Sequence, residues 1–320
     1  MSKSRKGSAI AVLIVLGLSS ITSAVQAAPK KLTIGVSVAD QKSLFYVAAV
    51  EGMRVQAKAS GVKLIVLSAD NNASQQLAQV KSLITQHVDA LVFIAQDATA
   101  AAAGVKAANA AKIPVIAVDE KPESGQGKLA TYIATDSVKA ADVLCTWLFK
   151  QIGNSGEIGI LHGVVGGTAE KQRTEGCHLA LARTPGIKVV AEAIANWDET
   201  QAYKATTDML TAHPAIKAIF GESDAMGLGA AKAAKAAGVK IVAVGIDGFP
   251  TMVTAIQQGL TQATQAQIPY KMGIKSILNS IAFATGKGKT VPAVQLQDTV
   301  LVTAANANSV DVTQFYGSTK

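Results

Sequence analysis

The chain has 320 residues, a formal net charge of +8 and 49% hydrophobic residues. A length of this order holds about two domains at roughly 150 residues each, and the basic residues are scattered with no run of five or more, which excludes the concentrated patch of a nucleic-acid binder. Two cysteines, with no histidines at metal-finger spacing, exclude a four-ligand zinc site.

In chain order, the first signal is a leader. Lys3, Arg5 and Lys6 form a basic region, residues 9–18 (AIAVLIVLGL) an apolar run, and Val25-Gln26-Ala27 a small-residue cleavage site. This is the pattern of a secretory signal peptide, too short to span a bilayer. It predicts a signal peptide over 1–27, a mature protein from Ala28 and, with no cysteine near the site to carry lipid, a soluble periplasmic location. No later stretch approaches eighteen consecutive apolar residues, so the mature chain is not expected to span a membrane.

Short β-branched runs follow at 32–38 (LTIGVSV), 63–68 (KLIVLS), 89–95 (DALVFIA) and 113–119 (IPVIAVD), separated by Ala-rich helical stretches. Nearly continuous apolar strands alternating with helices predict βαβ units and parallel sheets buried on both faces. The pattern resumes at 157–163, 187–194, 216–222, 239–247 and 260–267, with helices expected over 200–212 and 225–237, the latter ended by Gly238. Two α/β halves result, with a break near residues 134–136. A further helix at 270–286 and a late strand at 299–303 indicate that the chain crosses between the halves more than once. The tail, 304–320, is polar and is expected to wrap the surface. Cys145 and Cys177 fall on consecutive helices of the second half. In an oxidising compartment they form either a disulfide or two small buried side chains.

Catalytic motifs are missing. The run 163–167 (GVVGG) follows a strand but lacks the spacing of a dinucleotide loop. Gly288-Lys289-Thr290 mimics the end of a phosphate loop, yet Phe283 stands where that loop requires glycine. No nucleophile elbow is present, and His87, His162, His178 and His213 are dispersed. No cofactor, metal or catalytic site is expected. What remains are polar and aromatic residues just beyond strand carboxyl ends, where open parallel sheets bind ligands. They are the segment 39–46, with Phe45 and Tyr46 opening a helix, after the first strand and Asp119 and Glu120 after the fourth. In the second half they are the segment 168–173, Trp197, Ser223, Asp224, Asp247 and Gln267. Carboxylates accept bonds from vicinal hydroxyls, and aromatic faces cover the C–H patches of a sugar or polyol. Each residue also has a plain structural role open to it: Asp224 as a helix cap, Asp247-Gly248 as a turn, Phe45 and Tyr46 as core.

The segments 43–53 (SLFYVAAVEGM), 67–80 (LSADNNASQQLAQV), 113–120 (IPVIAVDE), 134–137 (ATDS), 170–176 (EKQRTEG), 209–230 (MLTAHPAIKAIFGESDAMGLGA), 244–248 (VGIDG) and 266–269 (AQIP) resemble the ribose-binding family of periplasmic sugar receptors. The resemblance covers most of 31–303. It implies a type I periplasmic binding protein fold: α/β, two doubly wound Rossmann-like lobes joined by a three-strand hinge. The implied lobes are 28–135 plus 268–297 and 136–267 plus 298–320. Phe45, Tyr46 and Trp197 then look like the aromatics that enclose the ligand. Asp119, Arg173, Asp224, Asp247 and Gln267 match family positions directly. Ser43 and Ser223 replace asparagines, and Glu120 and Lys171 replace arginines, which directs the reading away from ribose itself. The implied function is a non-enzymatic, monomeric receptor that delivers a sugar or polyol to an ABC-type permease in the inner membrane. Alternatives are a receptor of the same fold for a quorum signal or chemotaxis ligand and, further off, a cleft enzyme using paired carboxylates.

Overall fold

Ala90–Phe93 and Val115–Val118 are buried at every residue, so helices must cover both sides. The computed structural model describes residues 31–123 and 127–318, together with Met1 and Ser2. The expected signal peptide lies outside the described residues. From Lys31 onward these residues form one compact unit.

The elements in order are β1 (Thr33–Val38), α1 (Leu44–Ala59), β2 (Lys63–Ser68), α2 (Ala73–Thr85), β3 (Ala90–Phe93), α3 (Ala98–Ala110), β4 (Val115–Val118) and β5 (Thr131–Thr135). Then come α4 (Ser137–Gln151), β6 (Gly156–His162), α5 (Thr168–Ala182), β7 (Ile187–Ile194), α6 (Glu199–Ala212), β8 (Ile216–Gly221), α7 (Asp224–Ala236), β9 (Val242–Asp247), α8 (Pro250–Gln257) and β10 (Ala263–Ala266). The chain closes with α9 (Pro269–Ala284), β11 (Val294–Gln297), β12 (Val300–Thr303) and α10 (Thr313–Tyr316). Two six-stranded sheets result, ordered β11-β5-β4-β3-β1-β2 and β12-β10-β9-β8-β6-β7. Every pairing is parallel except β10 with β12. The chain is the doubly wound α/β fold that its periodicity predicts.

Helix starts are written locally. The side chains of Asn72, Asp97, Asp136, Asp198 and Ser223 each accept the backbone N–H three residues on, capping α2, α3, α4, α6 and α7. Apolar clusters lie on both faces of each sheet. Met53, Ile116 and Met272 sit on one face of the first and Leu83, Phe93 and Val105 on the other. Leu144, Phe149 and Phe220 cover one face of the second and Met209, Ile219 and Met226 the other.

The chain passes between the sheets three times: from β5 into α4, from β10 into α9, and from β11 into β12. The tail departs from the surface-wrapping expectation. Phe315 and Tyr316 are buried in a cluster that holds Ala48 of α1, Met252 of α8 and Val302 of β12. Two aromatic rings in an otherwise polar stretch carry enough apolar area to draw it inward. Tyr316 packs edge-on against Phe249 and its hydroxyl donates to the Asp247 carbonyl at 2.8 Å.

Cys145 on α4 and Cys177 on α5 form a disulfide with a Cα–Cα distance of 5.4 Å across a sequence separation of 32. Closing a loop of that length in the unfolded chain stabilises the fold by about 3.7 kcal/mol. Replacing both cysteines by alanine should therefore lower the unfolding free energy by about that amount in urea titrations. Dithiothreitol should lower the wild-type midpoint and leave the variant's unchanged. A variant as stable as the wild type would show that the crosslink contributes nothing.

Candidate functional site

The carboxyl ends of both sheets face a shared cavity of about 900 Å³. From the first lobe, the chain turns after β1 around Asp40, whose carboxylate accepts the N–H groups of Lys42 and Ser43 at 2.7 and 2.9 Å. That turn launches α1 and sets Ser43, Phe45 and Tyr46 on the lining. Phe45 is largely core, meeting Tyr46 edge-to-face with centroids 5.6 Å apart. The Tyr46 hydroxyl donates to Asp119 at 3.1 Å, and the Tyr132 hydroxyl donates to the Asp119 carbonyl at 2.6 Å. Asp119 leaves β4 with φ +61°, a left-handed conformation that only surrounding bonds can hold in a non-glycine residue. Desolvation pushes its carboxyl up to about 6, against the opposing pull of Arg173.

The second lobe supplies the facing wall. Arg173 on α5 is buried. Its guanidinium donates to the Glu222 carbonyl, stands 3.8 Å from Asp247, and lies 5.3 Å from the Trp197 ring centroid. Its Nε is buried with no protein partner. Trp197 follows β7 with φ +63° and lies across Gly163, where any Cβ would run into the indole. Asp247 at the end of β9 accepts from Gln267 Nε2 at 2.7 Å, and Gln267 accepts from Thr135 Oγ1 at 2.5 Å. Burial raises the Asp247 carboxyl while Arg173 lowers it.

Of the residues expected at the site, the structure brings Ser43, Phe45, Tyr46, Asp119, Glu120, Lys171, Arg173, Trp197, Ser223, Asp247 and Gln267 to this one lining. Asp224 lies beneath it. Fully buried, it accepts from Thr264 Oγ1 at 2.6 Å and from the Gly248 and Phe249 N–H groups at 2.7 and 2.8 Å. Glu120 reaches the lining with its carboxylate engaged by Thr168. Asp40, within the segment expected after the first strand, is on the lining; lining residues that sequence reasoning missed include Gln96, Val165 and Asn196. They sit in loops past strand ends, so a wider search around each strand terminus would have found them.

His162 was also missed as a grouped residue. Its Nε2 is 2.7 Å from Glu192 and its Nδ1 3.2 Å from Glu222, with Glu170 at 4.0 Å. His162, Glu170 and Glu222 have the composition of metal ligands, with donor atoms within 4.8 Å of one another. The two carboxylates are already engaged: Glu222 accepts from Gly163 N–H and Thr174 Oγ1, and Glu170 from Gly166 N–H. The group therefore reads as an ion-pair cluster that braces the 163–167 loop at the cavity's edge.

The bond to Glu222 raises the His162 pKa to about 9, with further help from Glu192 and against desolvation. A histidine raised in the folded state stabilises fully below its unfolded pKa near 6.5 and loses that contribution as pH climbs through about 9. Between those values it should withdraw stability, by less than the full shift implies because solvent reaches the ring and screens the pair. His162→Gln should flatten this part of the pH–stability curve measured by urea unfolding. An unchanged slope would remove His162 from the account.

Comparison with known proteins follows the same outline. Residues 34–288 match the periplasmic binding protein domain. The chain is 34% identical to the ribose import binding protein of Bacillus subtilis over 76% of its own length and 79% of that protein. It is 36% identical to a xylitol-binding protein of Mycolicibacterium smegmatis over 71% and 64% of the two chains. A solute-binding protein of an ABC transporter from Actinobacillus succinogenes, solved with D-allose, superposes with a TM-score of 0.83 at 29% identity, covering 88% of this chain and all of that one. The chain belongs to the periplasmic binding protein family.

Proposed function

We propose that this protein is a periplasmic receptor that captures a neutral sugar or polyol between its lobes and hands it to an ABC-type permease of the inner membrane. The observation that carries this reading is the convergence of Asp119, Arg173, Asp247 and Gln267 between Tyr46 on one side and Trp197 on the other. Acceptors dominate the lining: Asp40, Asp97, Asp119, Glu120, Glu123 and Asp247 face only Lys42, Lys171 and Arg173. A cavity so arranged repels anions and suits ligands rich in donor hydroxyls. Relatives named for ribose and xylitol, and a neighbour holding allose, support the same class. Delivery rather than turnover is supported by those transport relatives. It is also supported by the carboxylates themselves, which are bonded to neighbouring donors rather than aligned as an acid–base pair. The leader expected over 1–27 would place the protein in the periplasm.

A thermal-shift panel of pentoses, hexoses and polyols tests the class. At one hundred times its dissociation constant a true ligand adds about 2.7 kcal/mol of stability. No response from any polyhydroxyl compound sinks the proposal. Asp247→Ala should weaken each responding ligand by about 1–3 kcal/mol in calorimetry, because it leaves donors unpaired in a closed cleft.

A further inference from the structure

The start of α5 is satisfied differently from the starts of the helices on either side. α4 and α6 carry their own caps in Asp136 and Asp198. The corresponding residue of α5 is Gly167, which has no side chain to offer. The acceptor comes from the other lobe. Glu120, two residues past β4, takes the Thr168 N–H on both carboxylate oxygens, at 2.7 and 3.0 Å, and the Thr168 hydroxyl at 2.7 Å. Thr168 Oγ1 in turn accepts the Lys121 N–H at 3.2 Å. The partners are 48 and 47 residues apart in the chain and belong to elements of different sheets.

We propose that Glu120 is a closure latch: its carboxylate caps α5 across the mouth of the cleft and holds the two lobes together whether or not a ligand lies between them. Three features of the geometry suit this task. A carboxylate at a helix N-terminus meets unpaired N–H groups and the positive end of the helix dipole. Its bonds are charge-assisted. The helix it holds is the one that presents Arg173 to the cavity, so the latch fixes the position of the main cationic donor as well as the angle between the lobes.

The consequence separates a latch from a ligand contact. Where a ligand binds only the closed form, its apparent dissociation constant is the intrinsic one divided by the closed fraction. A latch raises that fraction before any ligand arrives. It therefore tightens every ligand by one common factor, whereas a ligand contact tightens some and not others.

The test uses full-length mature protein with one dye on each lobe, read by single-molecule energy transfer without ligand, and calorimetry on the sugars and polyols that bind the wild type. Glu120→Ala should shift the ligand-free distances toward the open form and weaken all ligands by the same factor, about tenfold for the loss of a charge-assisted pair. Thr168→Val keeps the backbone N–H and loses the hydroxyl, so it should move both readouts the same way by less. The double variant should match Glu120→Ala, because both changes remove one interaction. The latch is overturned by ligand-free distances that do not change in Glu120→Ala, by a wild type that is fully open without ligand, or by a loss that reorders ligand preference. The distance readout needs no ligand. A protein that opens on Glu120→Ala yet binds no polyhydroxyl compound would keep the latch and reject the proposed function.

Discussion

Asp224 is fully buried, and both of its oxygens are occupied by Thr264 Oγ1 and the N–H groups of Gly248 and Phe249. Those bonds fix the turn that ends β9, and the turn decides where Asp247 points. Burial raises both carboxyls above the ordinary range; the neighbouring Asp247 charge raises Asp224 further, while Arg173, the Asp224 N–H and Gln267 pull Asp247 back down. Two buried acids side by side are tolerable only with donors around them. The structure supplies those donors from three directions: the β9 turn itself, Gln267 from β10 and Arg173 from α5. Remove Asp224 and the turn's amides lose their acceptor; remove Arg173 and Asp247 loses the cation that offsets its burial. The floor of the cleft is thus a single electrostatic unit in which ligand-facing groups are aimed by groups the ligand never meets.

That unit reaches the crossings between the lobes. Gln267 sits immediately before α9, where the chain returns to the first lobe, and it accepts from Thr135, where the chain first leaves that lobe. Tyr316 adds a third connection, donating to the Asp247 carbonyl while its ring packs among residues of α1, α8 and β12. Asp247 is therefore tied through Gln267 to two of the three crossings and directly to the tail. A change in the angle between the lobes has to be absorbed near these bonds, since the packed layers on either side are too dense to deform gradually.

The sequence carried the layers of this fold clearly. β3 and β4 are short, wholly apolar and rich in β-branched residues, and their length and regular alternation with longer helical stretches favour buried parallel strands over helix. β5 and β11 were not read as strands. Thr131–Thr135 mixes polar and apolar residues after a Gly-containing loop, and it is buried only because β4 and β11 flank it. Val294–Gln297 is an edge strand with two exposed apolar side chains, a signal that looks like a loop locally. At the site, residue identity was legible and residue orientation was not. Strand ends and the family resemblance pointed to Asp119, Arg173, Trp197 and Asp247. Nothing in one dimension could show that Asp224 turns beneath the floor, that Glu120 is engaged by a helix from the far lobe, or that Phe315 and Tyr316 fold back into the core. Each of those depends on a contact between segments dozens of residues apart. The left-handed backbone at Trp197 was equally hidden, since a bulky aromatic rarely adopts it.

The same electrostatics explain why such a cleft responds to its ligand. Closure takes Asp119 and Asp247 out of water, and desolvation is the largest influence on each carboxyl. An acid whose pKa is raised in the folded state withdraws stability as pH rises from its unfolded value through its folded one, so near neutrality both residues oppose the closed form. Arg173 offsets part of this. A polyhydroxyl ligand carries what both are missing: hydroxyls donate to the carboxylates, and the same oxygens accept from the guanidinium. Shifting a two-state equilibrium from 1:99 to 99:1 takes about 5.5 kcal/mol of differential affinity, and a micromolar ligand has about 8 kcal/mol in all. The margin is small. Contacts between the lobes that form without the ligand, such as those of Glu120 with Thr168, therefore set how much of the binding energy is left to appear as affinity.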